Sequence, residues 1–567
     1  MNPPSASPAN THVRMVLTSP LGDVPVPKTD LLTYLFPSNA AISEDPIWLD
    51  ARDPENSLSP KQLLQWVKRL AIGLDRLAIR EQEAVMILTP NHIFVPAAYL
   101  GIVGSRRIFS AANPIYTEQE LSHQLSNTGS RVVLVHPSLL ETAIGAAKKC
   151  GLPLEHIFQF SDRPTAPVMG ILDWRAMLGS PEEAEAYHWK PMTPSESAKT
   201  VATVNYSSGT TGLPKGVCVS HLNIIANTQQ TIAIKFHGFP YGEKDHPPER
   251  WLGFLPLYHA YGQLWCMVMA IKLNIPIYVM KQFNFVPFLE NIQKYKITDL
   301  QTAPPILVML SKRPETAQYD ISTVKHILCG AAPLSRELQN DITKRFNIRV
   351  TQGWGMTEVT CGAMHVPFSA DDDTGSVGLL DPGMECLLLD DDGKEVGPGE
   401  PGEIFVRGEN VCLGYWKNEE ATRDSLSEDG WLKTGDIAVV DKKGWFWIVD
   451  RKKELIKVNA LQVAPAELEA ALLEHDEIAD AACVGITLHS EEWPRGYVVR
   501  KAGSTITEEE IHRFMKEKVA KHKQLVGGIV FIDEVPKLAS GKIIRKLLKE
   551  WAKRDASILE SKVKARL

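Results

Sequence analysis

Apolar residues follow two rhythms in the first part of this chain. Leu63, Leu64, Val67, Leu70 and Leu74 recur at helical spacing, which predicts an amphipathic helix over 59–77 with Ser59 as its cap. Ala84–Leu88 and Val132–Val135 are short unbroken apolar runs, the pattern of strands buried on both faces, with a helix expected over about 92–103. Residues 200–206 and 216–220 also read as strands, followed by a helix over 222–234 that Ser220 or His221 caps. A strand is expected over 327–332, ending in Gly330-Ala331-Ala332-Pro333, and a helix after Ser335. Strands alternating with helices predict an α/β fold with a largely parallel sheet. Later, Pro465 marks a helix start with Glu467 and Glu469 in its first turn. Ile511, Phe514, Met515 and Val519 share one face of a helix expected over 508–525. Prolines at 3, 4, 8, 20, 25 and 27 predict an extended, weakly ordered stretch over 1–30.

Length changes this picture first. A chain of 567 residues is too long for one hydrophobic core, so at least two domains are expected. Net charge is −7, which argues against nucleic acid as a partner, but it is unevenly spread. From Arg451 onward there are 22 Lys+Arg against 18 Asp+Glu, a net of +4, which leaves −11 on the first 450 residues. A basic C-terminal module beside an acidic body suits a polyphosphate ligand held between them, and a solvated basic face reads equally well from charge alone. The eight cysteines form no CxxC pair, so neither a metal framework nor a disulfide framework is expected. The most apolar long stretch, 265–280, is interrupted by Lys272, Asn274 and Pro276 and does not read as a membrane span.

Candidate chemistry is concentrated in Tyr206-Ser207-Ser208-Gly209-Thr210-Thr211-Gly212-Leu213-Pro214-Lys215-Gly216-Val217. Its glycines allow close backbone approach to a phosphate, its hydroxyls donate to phosphate oxygens and Lys215 adds a point charge. It is not a Walker A loop, because Leu213-Pro214 stands where that motif has a glycine before the lysine, and the run joins two strands instead of opening a helix. Further runs are Leu255-Pro256-Leu257-Tyr258-His259-Ala260-Tyr261-Gly262, Gln352-Gly353-Trp354-Gly355-Met356-Thr357-Glu358, Gly430-Trp431-Leu432-Lys433-Thr434-Gly435-Asp436 and Asp450-Arg451-Lys452-Lys453-Glu454-Leu455-Ile456-Lys457. Pro536-Lys537-Leu538-Ala539-Ser540-Gly541-Lys542 closes the series as a loop meeting a helix, with Ser540 as its cap.

Taken in order, these runs resemble the motifs of the adenylate-forming superfamily, which includes acyl-CoA synthetases, 4-coumarate–CoA ligases, luciferases and peptide-synthetase adenylation domains. The resemblance covers roughly residues 15–550. It implies a large α/β body of several subdomains with mostly parallel sheets near 1–450, and a small α+β lid near 451–567. The implied activity is MgATP-dependent joining of a carboxylic acid to AMP, then transfer of the acyl group to coenzyme A. The implied ligands are therefore ATP, Mg²⁺, CoA and a small organic acid.

The same resemblance assigns roles. Ser207, Ser208, Gly209, Thr210, Thr211 and Lys215 would hold phosphates, and Ala331, Ala332, Gln352, Gly353 and Gly355 would form the adenine site. Trp354 would stack on the base, Asp436 would accept from the ribose hydroxyls, Arg451 would meet the ribose or a phosphate, Thr357 the α-phosphate, and Glu358 the Mg²⁺. Lys542 would be the catalytic lysine and Lys453 the hinge, while Lys457 and Gln462 would contact the adenylate. Tyr258, His259, Tyr261, Gly330, Ala331 and Met356 would border the acyl pocket, whose small and apolar residues favour a medium-chain, aryl or branched acid. Two departures stand out. Trp354 replaces the family's usual tyrosine, and Asn459-Ala460 replaces a lysine-glycine pair that helps form the CoA site. The second keeps a loader of carrier proteins open as an alternative, beside a luciferase-like oxygenase and a non-catalytic adenylate binder. Ala565-Arg566-Leu567 resembles the Ser-Lys-Leu peroxisomal address, which implies an import receptor and a peroxisomal location, with the cytoplasm otherwise. A monomer or weak dimer is expected.

Overall fold

The computed structural model describes residues 16–207, 214–458, 461–488, 491–538 and 541–564. Two large sheets carry the body. The seven-stranded sheet runs Gly414–Tyr415, Lys215–Ser220, Val201–Ser207, Ile108–Ala112, Ala84–Leu88, Val132–Val135, Ile157–Gln159 from edge to edge. Its last five strands are parallel, whereas Val201–Ser207 and Lys215–Ser220 form an antiparallel hairpin. The nine-stranded sheet has a parallel centre, including Trp251–Gly253, Asp299–Thr302, His326–Cys329 and Arg349–Trp354, with antiparallel strands at both margins. A third, five-stranded antiparallel sheet ends in Leu432–Val440 and Phe446–Arg451. The mixed α/β body is thus the one that the alternating pattern predicts.

The helix Pro60–Arg76 forms where the apolar spacing places it, and Ser59 and Gln62 close a reciprocal capping box at its start. Its buried Leu63, Val67, Leu70 and Leu74 pack against Val95–Gly104, a helix that begins later than expected. Residues 92–94 are taken up by a turn in which Val95 N–H donates to His92 C=O at 3.0 Å. The helix His221–Phe236 is buried even at Asn223, Asn227 and Gln230, whose amides donate to the carbonyls of Glu409, Val411, Gly362 and Pro382. Those bonds satisfy the polar groups that burial would otherwise strand.

Three expectations are corrected. Part of the weakly ordered lead is paired, because Leu17–Thr18 lies antiparallel to Glu385–Leu389; residues 1–15 fall outside the described residues. The helix expected over 508–525 stops at Lys518: Val519 turns extended, and fully buried Leu525 draws the following chain into the core. Glu469 is no first-turn acid facing water. It is buried and ion-paired with Arg545, which also binds Glu454 at 2.7 Å and the Cys483 carbonyl at 2.9 Å.

Beyond Arg451 the chain builds separate hydrophobic clusters around the hairpin Ile478–Leu488/Glu491–Arg500 and the helices Pro465–Leu473, Glu508–Lys518 and Arg545–Lys564. This smaller unit touches the body at both ends of one helix, Pro304–Lys312. At the first end, Gly541 has φ +85° and lies so close to Pro305 that a Cβ there would come within 2.9 Å of its ring. At the other end, Lys312 Nζ donates to the carbonyls of Leu473 and Ile478, each at 2.7 Å. No described helix is long and apolar enough to cross a membrane.

Candidate active site

The C-terminal ends of the parallel strands, the third sheet and the smaller unit enclose a cavity of about 750 Å³. Motif residues far apart in the chain meet on its walls: Ser207, Lys215, Tyr258, His259, Tyr261, Gly330, Ala331, Gly353, Trp354, Gly355, Met356, Thr357, Glu358, Arg451, Lys453 and Lys542. Open α/β sheets bind ligands at this edge, because the strands end there while their connections diverge.

One wall is a network of aromatic and charged groups. The Trp354 indole N–H donates to Asp436 Oδ2 at 2.9 Å, and Arg451 Nε lies 3.0 Å from Oδ1 of the same carboxylate, which is buried behind these two residues and does not itself line the cavity. The Tyr415 hydroxyl donates to Glu358 Oε1 at 2.9 Å, and Lys215 Nζ stands 5.1 Å above the Tyr415 ring. The turn carrying Met356–Glu358 requires glycine at its start, since a Cβ on Gly355 would meet the Cys361 carbonyl oxygen at 1.8 Å. Ala331 adopts φ +69°, so the chain folds back tightly after the strand His326–Cys329. Among the described residues no three His, Cys, Asp or Glu side chains are grouped to hold a metal. Glu358 is one of three acidic residues on the walls, with Glu403 and Asp424, and a lone carboxylate such as this can hold a hard divalent ion that takes most of its oxygens from phosphate and water.

Lys542 enters from the smaller unit. Its loop is a tight turn, closed by Leu538 N–H donating to Lys542 C=O and Gly541 N–H donating to Leu538 C=O, both at 2.8 Å. Burial, and secondarily the nearby Arg451 charge, bring its pKa down to about 8, against the opposing pull of Glu454, Asp436 and Glu358. His259 lies across the cleft, and burial together with the Lys542 charge lowers it to about 4, so its ring is neutral near pH 7. Its Nδ1 accepts from Tyr261 N–H at 3.4 Å, and the Tyr261 hydroxyl donates to Leu328 C=O at 3.1 Å.

Other expected site residues stand behind or away from the walls. Gln352 is buried and donates to Gln339 Oε1 at 2.7 Å and Leu334 C=O at 3.4 Å, which braces the turn at 330–334 from behind. Ala332 follows Ala331 on that turn without lining the cavity. Lys457 and Gln462 face each other across the hairpin Ile456–Val458/Leu461–Val463, both exposed and outside the cavity. Ser208, Gly209, Thr210, Thr211, Asn459, Ala460, Ser540 and the Ala565-Arg566-Leu567 tail lie outside the described residues.

Two features escape the motifs. Asn205, on the strand that leads into the phosphate run, exchanges both amide bonds with Gln263: each Nδ2 or Nε2 lies 3.0 Å from the other's oxygen. Gln263 opens the π-helical segment Gln263–Met269 that carries Trp265 to the cavity. His365 also lines the cavity, although no motif contains it, and its Nδ1 lies 2.9 and 3.0 Å from the two oxygens of Asp381.

Comparison with known proteins extends these observations. The chain is 36% identical over 535 residues to the acyl-CoA synthetase ACTT5 of Alternaria alternata, covering 92% of this chain and 91% of that one. It is 34% identical over 535 residues to the peroxisomal OPC-8:0-CoA ligase 1 of Arabidopsis thaliana, covering 93% and 94%. The crystal structure of the anthranilate CoA ligase AuaEII with anthranoyl-AMP shares the fold, with a TM-score of 0.81 at 24% identity over 93% of this chain and 98% of that one. Residues 36–416 match the AMP-binding enzyme family and residues 467–542 match its C-terminal domain, so this chain belongs to the AMP-binding, adenylate-forming enzymes.

Proposed function

We infer that this protein is an AMP-forming acyl-CoA ligase acting on a medium-chain, aryl or branched carboxylic acid. In the first half-reaction a carboxylate oxygen attacks the α-phosphorus of ATP. The bond from that phosphorus to the bridging oxygen breaks, so acyl-adenylate forms and pyrophosphate leaves. In the second, the sulfur of CoA attacks the acyl carbon and AMP departs. Neither step needs a covalent bond to the protein, so positioning and charge neutralisation supply the acceleration.

The observation that carries this reading is Lys542, brought from the smaller unit into the cavity opposite His259. Its ammonium there neutralises charge shared between the incoming carboxylate and the α-phosphate, while neutral His259 borders the carboxylate without adding a second cation. Thr357 donates to the α-phosphate, and Ser207 and Lys215 hold the outer phosphates. Trp354 offers its face to adenine, and Asp436 accepts from the ribose hydroxyls beside Arg451. Gly353, Gly355 and Ala331 keep the base site shallow, with Ala332 behind them on the same turn. Glu358 would hold Mg²⁺, which when bound offsets phosphate charge. Lys453 is the pivot, and Lys457 and Gln462 meet the adenylate once the smaller unit has turned for the second half-reaction.

Pyrophosphate release across a panel of carboxylic acids, followed by thioester formation with CoA or a phosphopantetheine carrier, tests this reading. Rapid release with one acid class and transfer to CoA is expected. Tight AMP binding without release for any acid would leave only a binder of adenylates.

The location proposed for the enzyme is the peroxisome, reached through Ala565-Arg566-Leu567. The tripeptide's resemblance to a peroxisomal address and the name of the Arabidopsis relative support it. Removing those three residues from a fluorescently tagged chain should return it to the cytoplasm.

A further inference from the structure

Around Tyr261 the cavity wall holds Trp265, Leu328, Gly330, Gly353 and Met356, with Tyr258 and His259 as polar neighbours. His365 is a further polar group on this wall, and it alone among these has a buried carboxylate behind it. It sits on the strand Met364–His365, directly opposite Gly353 in antiparallel register, and is only 5% exposed. Asp381 behind it is fully buried, and both of its oxygens lie within hydrogen-bond distance of His365 Nδ1. The opposite edge of the imidazole is framed by two glycines. A Cβ on Gly353 or Gly362 would come within 3.0 or 2.8 Å of Nε2, so only glycine leaves the ring its place. No described residue hydrogen-bonds Nε2.

With Nδ1 held by the buried carboxylate, Nε2 is the polar atom that the imidazole turns toward the cavity without a partner among the described residues. A hydroxyl on the ligand, which can both donate and accept, would pair with it. We propose that His365, oriented by Asp381, is a specificity-determining residue of the acyl pocket, and that the preferred acid carries a hydroxyl remote from its carboxylate, hydrogen-bonded to His365 Nε2. This rests on the ligase reading above and names the substrate class within it.

The test uses the full-length enzyme, ATP and matched acids: octanoate against 8-hydroxyoctanoate, and 3-phenylpropanoate against 3-(4-hydroxyphenyl)propanoate. Counterparts bearing an amine or a second carboxylate in place of the hydroxyl complete the set. The hydroxylated member of at least one pair should show about tenfold higher kcat/KM, expressed mainly in the KM for the acid, the size expected of one buried hydrogen bond. His365→Phe should abolish that preference, read as the ratio of kcat/KM within each pair, whatever it does to the absolute rates. His365→Gln, which keeps a hydrogen-bonding side chain, should retain part of it. Equal rates within both pairs in the parent enzyme, retention of the preference in His365→Phe, or a stronger preference for the amine or second carboxylate would overturn the proposal. Absence of pyrophosphate release with every acid would instead overturn the ligase reading and the proposal with it.

Discussion

Trp354 holds Asp436 through its indole N–H, 2.9 Å from Oδ2, while Arg451 occupies Oδ1 of the same carboxylate. Carboxylate oxygens offer about four lone-pair sites, so two remain for the ribose hydroxyls. Trp354→Phe keeps a flat face for the base but removes the donor. A hydrogen bond to a charged acceptor contributes about 1.5–3 kcal/mol, so the KM for ATP should rise roughly tenfold or more with kcat little changed. Steady-state kinetics with ATP and 2′-deoxy-ATP check this, and discrimination between the two nucleotides should narrow in the variant.

Lys542→Ala should slow acyl-adenylate formation by at least ~10²-fold, the scale for removing one preorganised charge-stabilising donor. Thioester formation from supplied acyl-adenylate should survive, since the lysine serves only the first step. Equal loss in both half-reactions would remove that assignment.

The pH dependence follows from the same side chain. Closing the cleft around Lys542 lowers its pKa to about 8, whereas the open or unfolded chain holds that proton more tightly. Closure therefore releases a proton, and the closed state gains stability as pH rises above about 8 toward the ordinary lysine range. The ammonium needed for catalysis disappears over the same interval. A plot of kcat/KM for ATP against pH should fall above about 8, and whatever activity Lys542→Arg retains should lack that limb.

Lys312 reaches from the body to the carbonyls of Leu473 and Ile478 in the smaller unit, each at 2.7 Å, with His475 C=O at 3.4 Å. In this structure these bonds occur together with Lys542 in the cavity, and the rotation proposed above would break them. Lys312→Ala should slow adenylation about five- to tenfold, from the loss of charged hydrogen bonds, and leave the thioester step unchanged or faster. Single-turnover measurement of each half-reaction separates this from a general loss of stability, which would depress both.

The amino-acid pattern reveals this site unevenly. Lys215, Gln352–Glu358 and Asp436 stand in short runs whose residue types are dictated locally, by turns that need glycine and by groups that suit phosphate or sugar. The parallel sheets are equally visible, because Ala84–Leu88 and Val132–Val135 carry the unbroken apolar signature of strands covered on both faces. What the chain conceals is pairing over distance. His365 reads as an ordinary core histidine until Asp381, Gly353 and Gly362 are seen around it. Lys312 looks like one more basic residue at a helix end until the Leu473 and Ile478 carbonyls are found against it. Glu469 sits where a helix dipole welcomes an acid, yet Arg545, 76 residues further on, claims it. Periodicity reports which face of an element is dry, and has nothing to say about which distant side chain will arrive there.

The reciprocal amide pair of Asn205 and Gln263 makes the two halves of the cavity mechanically inseparable. Asn205 belongs to the strand Val201–Ser207 that leads into the glycine-rich run, and Gln263 to the helix that carries Trp265 to the cavity. Each amide oxygen accepts from the other residue's nitrogen, so sliding one segment alone would strand both oxygens, while the nitrogens keep Thr203 Oγ1 and Tyr258 C=O. On the function proposed above, the two substrates would share one floor, and a nucleotide that settles its phosphates would also fix the wall against which the acid lies.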